Sequence, residues 1–313
     1  MAHGHLCNYS QDTEAMKSLL FIALFLSLFL VTPFTFGKRL KEFFVNGDKV
    51  SYDGYTIARS FKAEEHALND SRVIVSRGQK RLAIIEGCCY RESTRFALIP
   101  LLDNGRKQLV VEAYSGGGHC CTSYHIYDLS ARFLTIFDGS KYNVDQVGNE
   151  MELLDIDGDG VYEFVQRVMN FDYFYASHAS AVFPEVVFAY NHRAGQFRPA
   201  NRRFASFLLR DIEKKERIVS KLNEDIPSLA RVKNGGGSEK TLSDVHFRES
   251  YYHAVVDVLL TYIYAGRKEE GWRYFYKNYN LPDKQQLRFD LRKLLAGSTV
   301  YNSIYSKNRH SLD

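Results

Sequence analysis

From residue 43 to about 200, apolar positions fall in short runs with the two-residue alternation of strands. Lys49 to Ser60 carries one such run. Arg72 to Ser76 and Arg81 to Glu86 flank Arg77-Gly78-Gln79-Lys80, the signature of a hairpin. A weak internal repeat follows. Leu101-Leu102-Asp103-Asn104-Gly105 leading into Leu109 to Tyr114 parallels Leu153-Leu154-Asp155 leading into Phe164 to Val168. Each copy continues into a further strand candidate, His125 to Leu129 or Val186 to Tyr190, and then a closing one, Phe133 to Phe137 or the stretch near Phe197. Four strands per roughly 50 residues is the rhythm of a propeller blade. Only about three blades fit before residue 200, so the expectation is a partial, blade-like antiparallel β-domain over residues 38–200.

Past residue 200 the period changes. Phe204, Leu208, Ile212, Val219 and Leu222 recur at helical spacing. Asn234-Gly235-Gly236-Gly237-Ser238 reads as a flexible linker at 234–238, after which Tyr252, Val255, Leu259 and Ile263 form one helical stripe. Trp272, Tyr274, Phe275 and Tyr279 come next, then a helix from Lys284 to Leu295. Residues 201–313 are therefore expected to be an α-helical carboxy-terminal domain.

Composition narrows the class. The 313 residues are 45% hydrophobic and 25% charged, which is globular and long enough for two domains. A net charge of +4 without a basic run argues against nucleic acid as a partner. The start of the chain reads as an export signal. Met16-Lys17-Ser18 precedes an apolar run from Leu19 to Val31, and Thr35 and Gly37 offer small residues for cleavage, so residues 1–37 form a signal-peptide region with Met16 as the expected true start. A single amino-terminal membrane anchor is the alternative. No later segment reaches the ~18 apolar residues of a membrane span. The expected address is secreted or periplasmic, where the adjacent pairs Cys88-Cys89 and Cys120-Cys121 are disulfide candidates.

Chemistry is most legible in Asp155-Ile156-Asp157-Gly158-Asp159-Gly160-Val161-Tyr162-Glu163. Carboxylates at positions one, three, five and nine, with the Val161 carbonyl at seven, form a hard oxygen set suited to Ca2+, and Gly160 permits the sharp bend. An EF-hand needs flanking helices and a Glu at position twelve, but the flanks here are strand-like and that position is Gln166. A metal loop between two antiparallel strands resembles the FG-GAP repeat of integrin α-chains and its bacterial VCBS relatives, with the pattern Asp-x-Asp-x-Asp-Gly-x-x-Asp. Asp155, Asp157, Asp159 and Gly160 match; Glu163 replaces the last Asp. The first copy of the internal repeat lacks the ligands, having Arg106 and Lys107 in their place.

Three other constellations carry candidate chemistry. Gly116-Gly117-Gly118-His119-Cys120-Cys121-Thr122-Ser123-Tyr124-His125 resembles a block in uncharacterised secreted bacterial proteins; if its thiols are free, His119 and His125 make an alternative copper or zinc site. Phe171, Asp172, Tyr173, Tyr175 and His178 interleave aromatics with polar groups as a sugar-stacking or protein-recognition surface would. Asp172, Glu185 and Glu152 are the carboxylates from which a glycosidase-like acid/base pair could be drawn. No GxSxG, HExxH or Walker sequence is present, and no catalytic residue is assigned. The reading is a secreted calcium-binding interaction module for an envelope polysaccharide or protein. An envelope hydrolase acting on polysaccharide or peptidoglycan comes second, and a copper- or zinc-handling protein third.

Overall fold

The alternating segments fold into three successive antiparallel sheets, followed by helices. The computed structural model describes residues 38–62, 70–88, 93–116, 122–146, 151–233 and 242–306. After a short β1 (Lys38–Arg39), the first sheet is a meander of β2 (Lys49–Tyr52), β3 (Tyr55–Lys62), β4 (Asp70–Arg77) and β5 (Lys80–Gly87). The stretch 49–60, which reads as one strand, is two. Asp53 and Gly54 take φ of +48° and +78°, the paired left-handed turn that lets Tyr52 sit opposite Tyr55.

The second sheet repeats the plan with β6 (Thr94–Ile99), β7 (Gln108–Tyr114), β8 (Thr122–Asp128) and β9 (Leu134–Asp138). The third adds β10 (Val144–Gln146), β11 (Glu152–Leu154), β12 (Glu163–Val168), β13 (Glu185–Asn191) and β14 (Gln196–Pro199), in the order β1-β11-β12-β13-β14. Strands β10 and β11 share one edge of β12, pairing with residues 166–168 and 163–164. Among the described residues no sheet closes into a barrel or propeller.

The layering follows from β7. From Gln108 through Ala113 every residue of this strand is buried, as a strand covered on both faces requires. Leu109 and Val111 join Ile57, Val73, Val75 and Ile85 of the first sheet in one core. Val110, with Tyr124 and Ile126 from β8, joins Phe164, Val186 and Phe188 of the third sheet in another. Rings lock this second core together, since Phe188 lies 4.8 Å from Phe137, 5.0 Å from Tyr142 and 5.3 Å from Phe164.

The helices are α1 (Ala205–Leu208), α2 (Ile212–Lys233), α3 (Leu242–Tyr264), α4 (Lys268–Asn278), α5 (Lys284–Gly297) and α6 (Thr299–Tyr305). The stripe from Phe204 to Leu222 is interrupted at residues 209–211, dividing it between α1 and α2. Tyr252, Val255, Leu259 and Ile263 are buried as their spacing predicts, and they belong to the same core as Phe164 and Phe188. Phe171 meets Tyr264 edge-on with ring centroids 6.3 Å apart, so the helices continue the packing of the third sheet. The proposed linker at 234–238 and the signal region lie outside the described residues. Within the described residues no helix is long and apolar enough to cross a membrane.

Phe188→Ala is expected to lower the free energy of unfolding by about 3–5 kcal/mol, as large core deletions do. Phe289→Ala, at a site 63% exposed, should change it by less than about 0.5 kcal/mol. Urea titration of both variants checks the contrast.

Candidate functional site

The acidic segment lies where its flanks place it, on the turn between β11 and β12, with Leu153 opposite Phe164 and Leu154 opposite Glu163. Gly158 and Gly160 take φ of +76° and +81°, a region in which any side chain would be strained. The backbone then aims the carboxylates. The Gly160 N–H donates to Asp155 Oδ2 at 3.2 Å, the Val161 N–H to Asp159 Oδ1 at 2.9 Å, and the Ile156 N–H to Glu163 Oε2 at 2.9 Å. One oxygen from each of Asp155, Asp157 and Asp159 lies within 4.8 Å of the others. Oxygens bound to one ion at about 2.3–2.6 Å are at most about 5 Å apart, so this triad could hold a metal ion.

Glu163 stands apart from the three. It is 1% exposed, and burial, with the nearby charges of Asp157 and Asp159, pushes its carboxyl up to about 7 against the Ile156 hydrogen bond. The Val161 side chain is buried in the core shared by the second and third sheets, which anchors the loop. A second anchor comes from the first copy of the repeat, where the Leu101 carbonyl accepts from the Tyr162 N–H at 2.9 Å. That copy is a structural loop, its Leu101 and Leu102 N–H groups donating to Gln108 Oε1 at 2.8 and 3.2 Å.

One participant is not legible from the loop itself. Arg203, in the turn between β14 and α1, donates from Nη2 to Asp157 and to Asp159 Oδ2, the latter at 3.2 Å. Like-charge repulsion in an acidic turn calls for a cation, and the guanidinium supplies one internally. A metal ion drawing on both carboxylates therefore competes with Arg203. Sequence carries no signal that an arginine about 45 residues away reaches this turn.

The aromatic segment divides. Phe171 is fully buried in the core, which corrects its assignment to an exposed surface; it closes the short 3-10 turn Met169–Phe171 and is the residue of that turn turned into the core. Tyr173 and Tyr175 are exposed, at 62% and 42%, and both take positive φ, +53° and +57°. Bulky residues seldom adopt that conformation, so the segment is over-determined by its contacts. The Tyr175 hydroxyl donates to Asp290 Oδ2 at 2.7 Å, and its ring stacks on Tyr252 at 5.9 Å. His178 Nδ1 lies 2.8 Å from Asp172 Oδ1 in a hydrogen bond.

The three acid/base carboxylates have separate surroundings. Asp172 meets His178, Glu185 accepts twice from Arg210 at 3.0 and 3.3 Å, and Glu152 sits exposed in β11 opposite Arg39. Of the alternative metal set, His119, Cys120 and Cys121 lie outside the described residues, as does Cys89. His125, on β8, faces Asp138 Oδ1 and Ser123 Oγ, each at 3.4 Å. The Cys88 N–H donates to the Tyr114 carbonyl at 2.8 Å, which brings residue 88 beside the end of β7 from which the Gly-Gly-Gly-His-Cys-Cys run continues. No family model, curated protein or solved structure matches this chain.

Burial lowers the His125 imidazole below its ordinary 6.5, with Asp138 opposing and Lys141 assisting. Between the folded and ordinary values the unfolded chain binds more protons, so the contribution of His125 to stability is full above about pH 6.5 and is lost as pH falls through the folded value. Glu163 acts oppositely in an overlapping range, so the informative quantity is the difference between wild type and His125→Asn. Measured by urea unfolding in chelator, the stability advantage of wild type is expected to shrink steadily from pH 7 to 5.

Proposed function

We propose that this chain is an exported calcium-binding protein that acts as an interaction module at the cell envelope, with an envelope polysaccharide or protein as its partner. The observation that carries the reading is the convergence of Asp155, Asp157 and Asp159 on one point of a strand-to-strand turn. All the donors are hard oxygens, which suit calcium better than a soft or borderline metal. The setting supports a VCBS-type blade, since three consecutive antiparallel meanders precede the helices and the acidic turn joins strands within the third.

Calcium has a structural role in this account. It replaces Arg203 between Asp157 and Asp159, fixes the start of β12, and holds the third sheet against the second. Extracellular modules bind calcium with dissociation constants of about 10⁻⁴–10⁻³ M, within reach of external concentrations. The recognition surface is the shelf of Tyr173 and Tyr175, five and seven residues beyond the end of β12 and held on Tyr252 and Asp290. Exposed rings in a fixed backbone favour stacking on a sugar or on another protein. Among the described residues Asp172 pairs with His178 and not with a second carboxylate, which favours binding over glycoside hydrolysis.

Cosedimentation of the purified protein with insoluble cell-wall polysaccharide tests this reading. Retention is expected in calcium and should fall about fivefold in Tyr173→Ala, the loss of roughly 1 kcal/mol of ring contact. Equal retention of wild type and Tyr173→Ala, or none by wild type, would rule out the shelf as a polysaccharide surface.

A further inference from the structure

A cavity of about 480 Å³ opens between the third sheet, the 178–185 segment and helices α2 and α3, away from the acidic turn. Its volume falls in the range of small-molecule sites, about 300–1,000 Å³. Most of its charges are already neutralised. Arg210 is spent on Glu185. Lys215 Nζ donates to Asp257 Oδ1 at 2.9 Å and to Thr261 Oγ1 at 3.0 Å, and His253 Nδ1 lies 3.0 Å from the Ser180 carbonyl.

Arg167 is the exception. It lies on β12 on the same face as Val165, whose core includes Leu208, and it is half-buried at the cavity wall. Strand register puts it opposite Glu185, but Arg210 occupies both oxygens of that carboxylate. Among the described residues the Arg167 guanidinium has no hydrogen bond or ion pair, leaving its planar fork of five donors unfilled where water is partly excluded. Such a group is matched by an anion with two oxygens in one plane.

The rest of the wall sets the size of that anion's charge. Glu185 and Asp211 both lie against Arg210, at 3.0 and 3.8 Å, and Asp257 lies against Lys215, so among the described residues Arg167 is the one cation of this wall left to meet an anion and the surrounding carboxylates would repel a second negative charge. Val182, Leu208 and Tyr264 supply apolar surface for the body of a ligand. From these we infer that the cavity binds a small organic monocarboxylate, its carboxylate held by the Arg167 fork and its apolar body against Val182, Leu208 and Tyr264. The polar stripe His253, Asp257 and Thr261, spaced i, i+4 and i+8 beside the buried stripe of α3, is the sequence signal for this wall. Alone it reads as a solvated helix face.

The test is calorimetric titration of the full chain with benzoate in the presence of chelator, so that the outcome does not depend on calcium. Saturable binding is expected, weakened at least about tenfold in Arg167→Gln. Ala179→Trp, at an exposed position on the cavity rim, should also abolish it while leaving the fold intact by circular dichroism. Inorganic phosphate should bind more weakly than benzoate. Absence of saturable benzoate binding, equal affinity in wild type and Arg167→Gln, or tighter binding of phosphate would overturn the assignment.

Discussion

Burial of the second sheet on both faces is the constraint on which the rest of the architecture depends. A strand such as β7, buried on both faces from Gln108 to Ala113, is stable only if a layer covers each face. The first sheet covers one side through Ile57, Val73 and Val75, and the third covers the other through Phe164, Val186 and Phe188. The third sheet has its own outer face, where Val165, Val187 and Ala189 meet Phe204 and Leu208. Every functional candidate is positioned by this stack: the acidic turn at one end of β12, the aromatic shelf beyond the other, and the cavity on its outer face.

Electrostatics then decides what the acidic turn does. Three carboxylates drawn together by backbone donors and two left-handed glycines are a repulsive arrangement that needs positive charge. Arg203 meets that need in part, and because its contacts are solvent-exposed the ion pairs are worth at most about 1 kcal/mol. A divalent ion coordinated by the same oxygens interacts more strongly than one guanidinium. The turn is therefore held weakly by the protein's own cation and would be held more firmly by a divalent metal, which is the physical basis of the proposed calcium-dependent order beside the proposed recognition surface.

Much of this was legible in the sequence because it rests on local rules. Alternation marks most strands of the three meanders but not β6 or β10, helical spacing marks the buried stripe of α3, and the Asp-x-Asp-x-Asp-Gly pattern marks the turn and its flanking strands. What was missed depends on long-range geometry. The break between Tyr52 and Tyr55 needed the conformation of Asp53 and Gly54. The burial of Phe171 needed its contact with Tyr264, 93 positions away. Arg203 and Arg167 are ordinary surface arginines by composition, and only the folded chain brings one to the acidic turn and leaves the other facing a cavity without a partner among the described residues.

Scanning calorimetry of the purified protein in chelator and in about 10 mM calcium tests the central claim most directly. For a site of the affinity expected outside the cell, the account predicts a stabilisation of about 1–3 kcal/mol, seen as a rise of a few degrees in the unfolding midpoint, absent in Asp157→Ala and larger in Arg203→Ala. Identical midpoints for wild type in both solutions would contradict it, leaving Arg203 as the cation for which the turn is built.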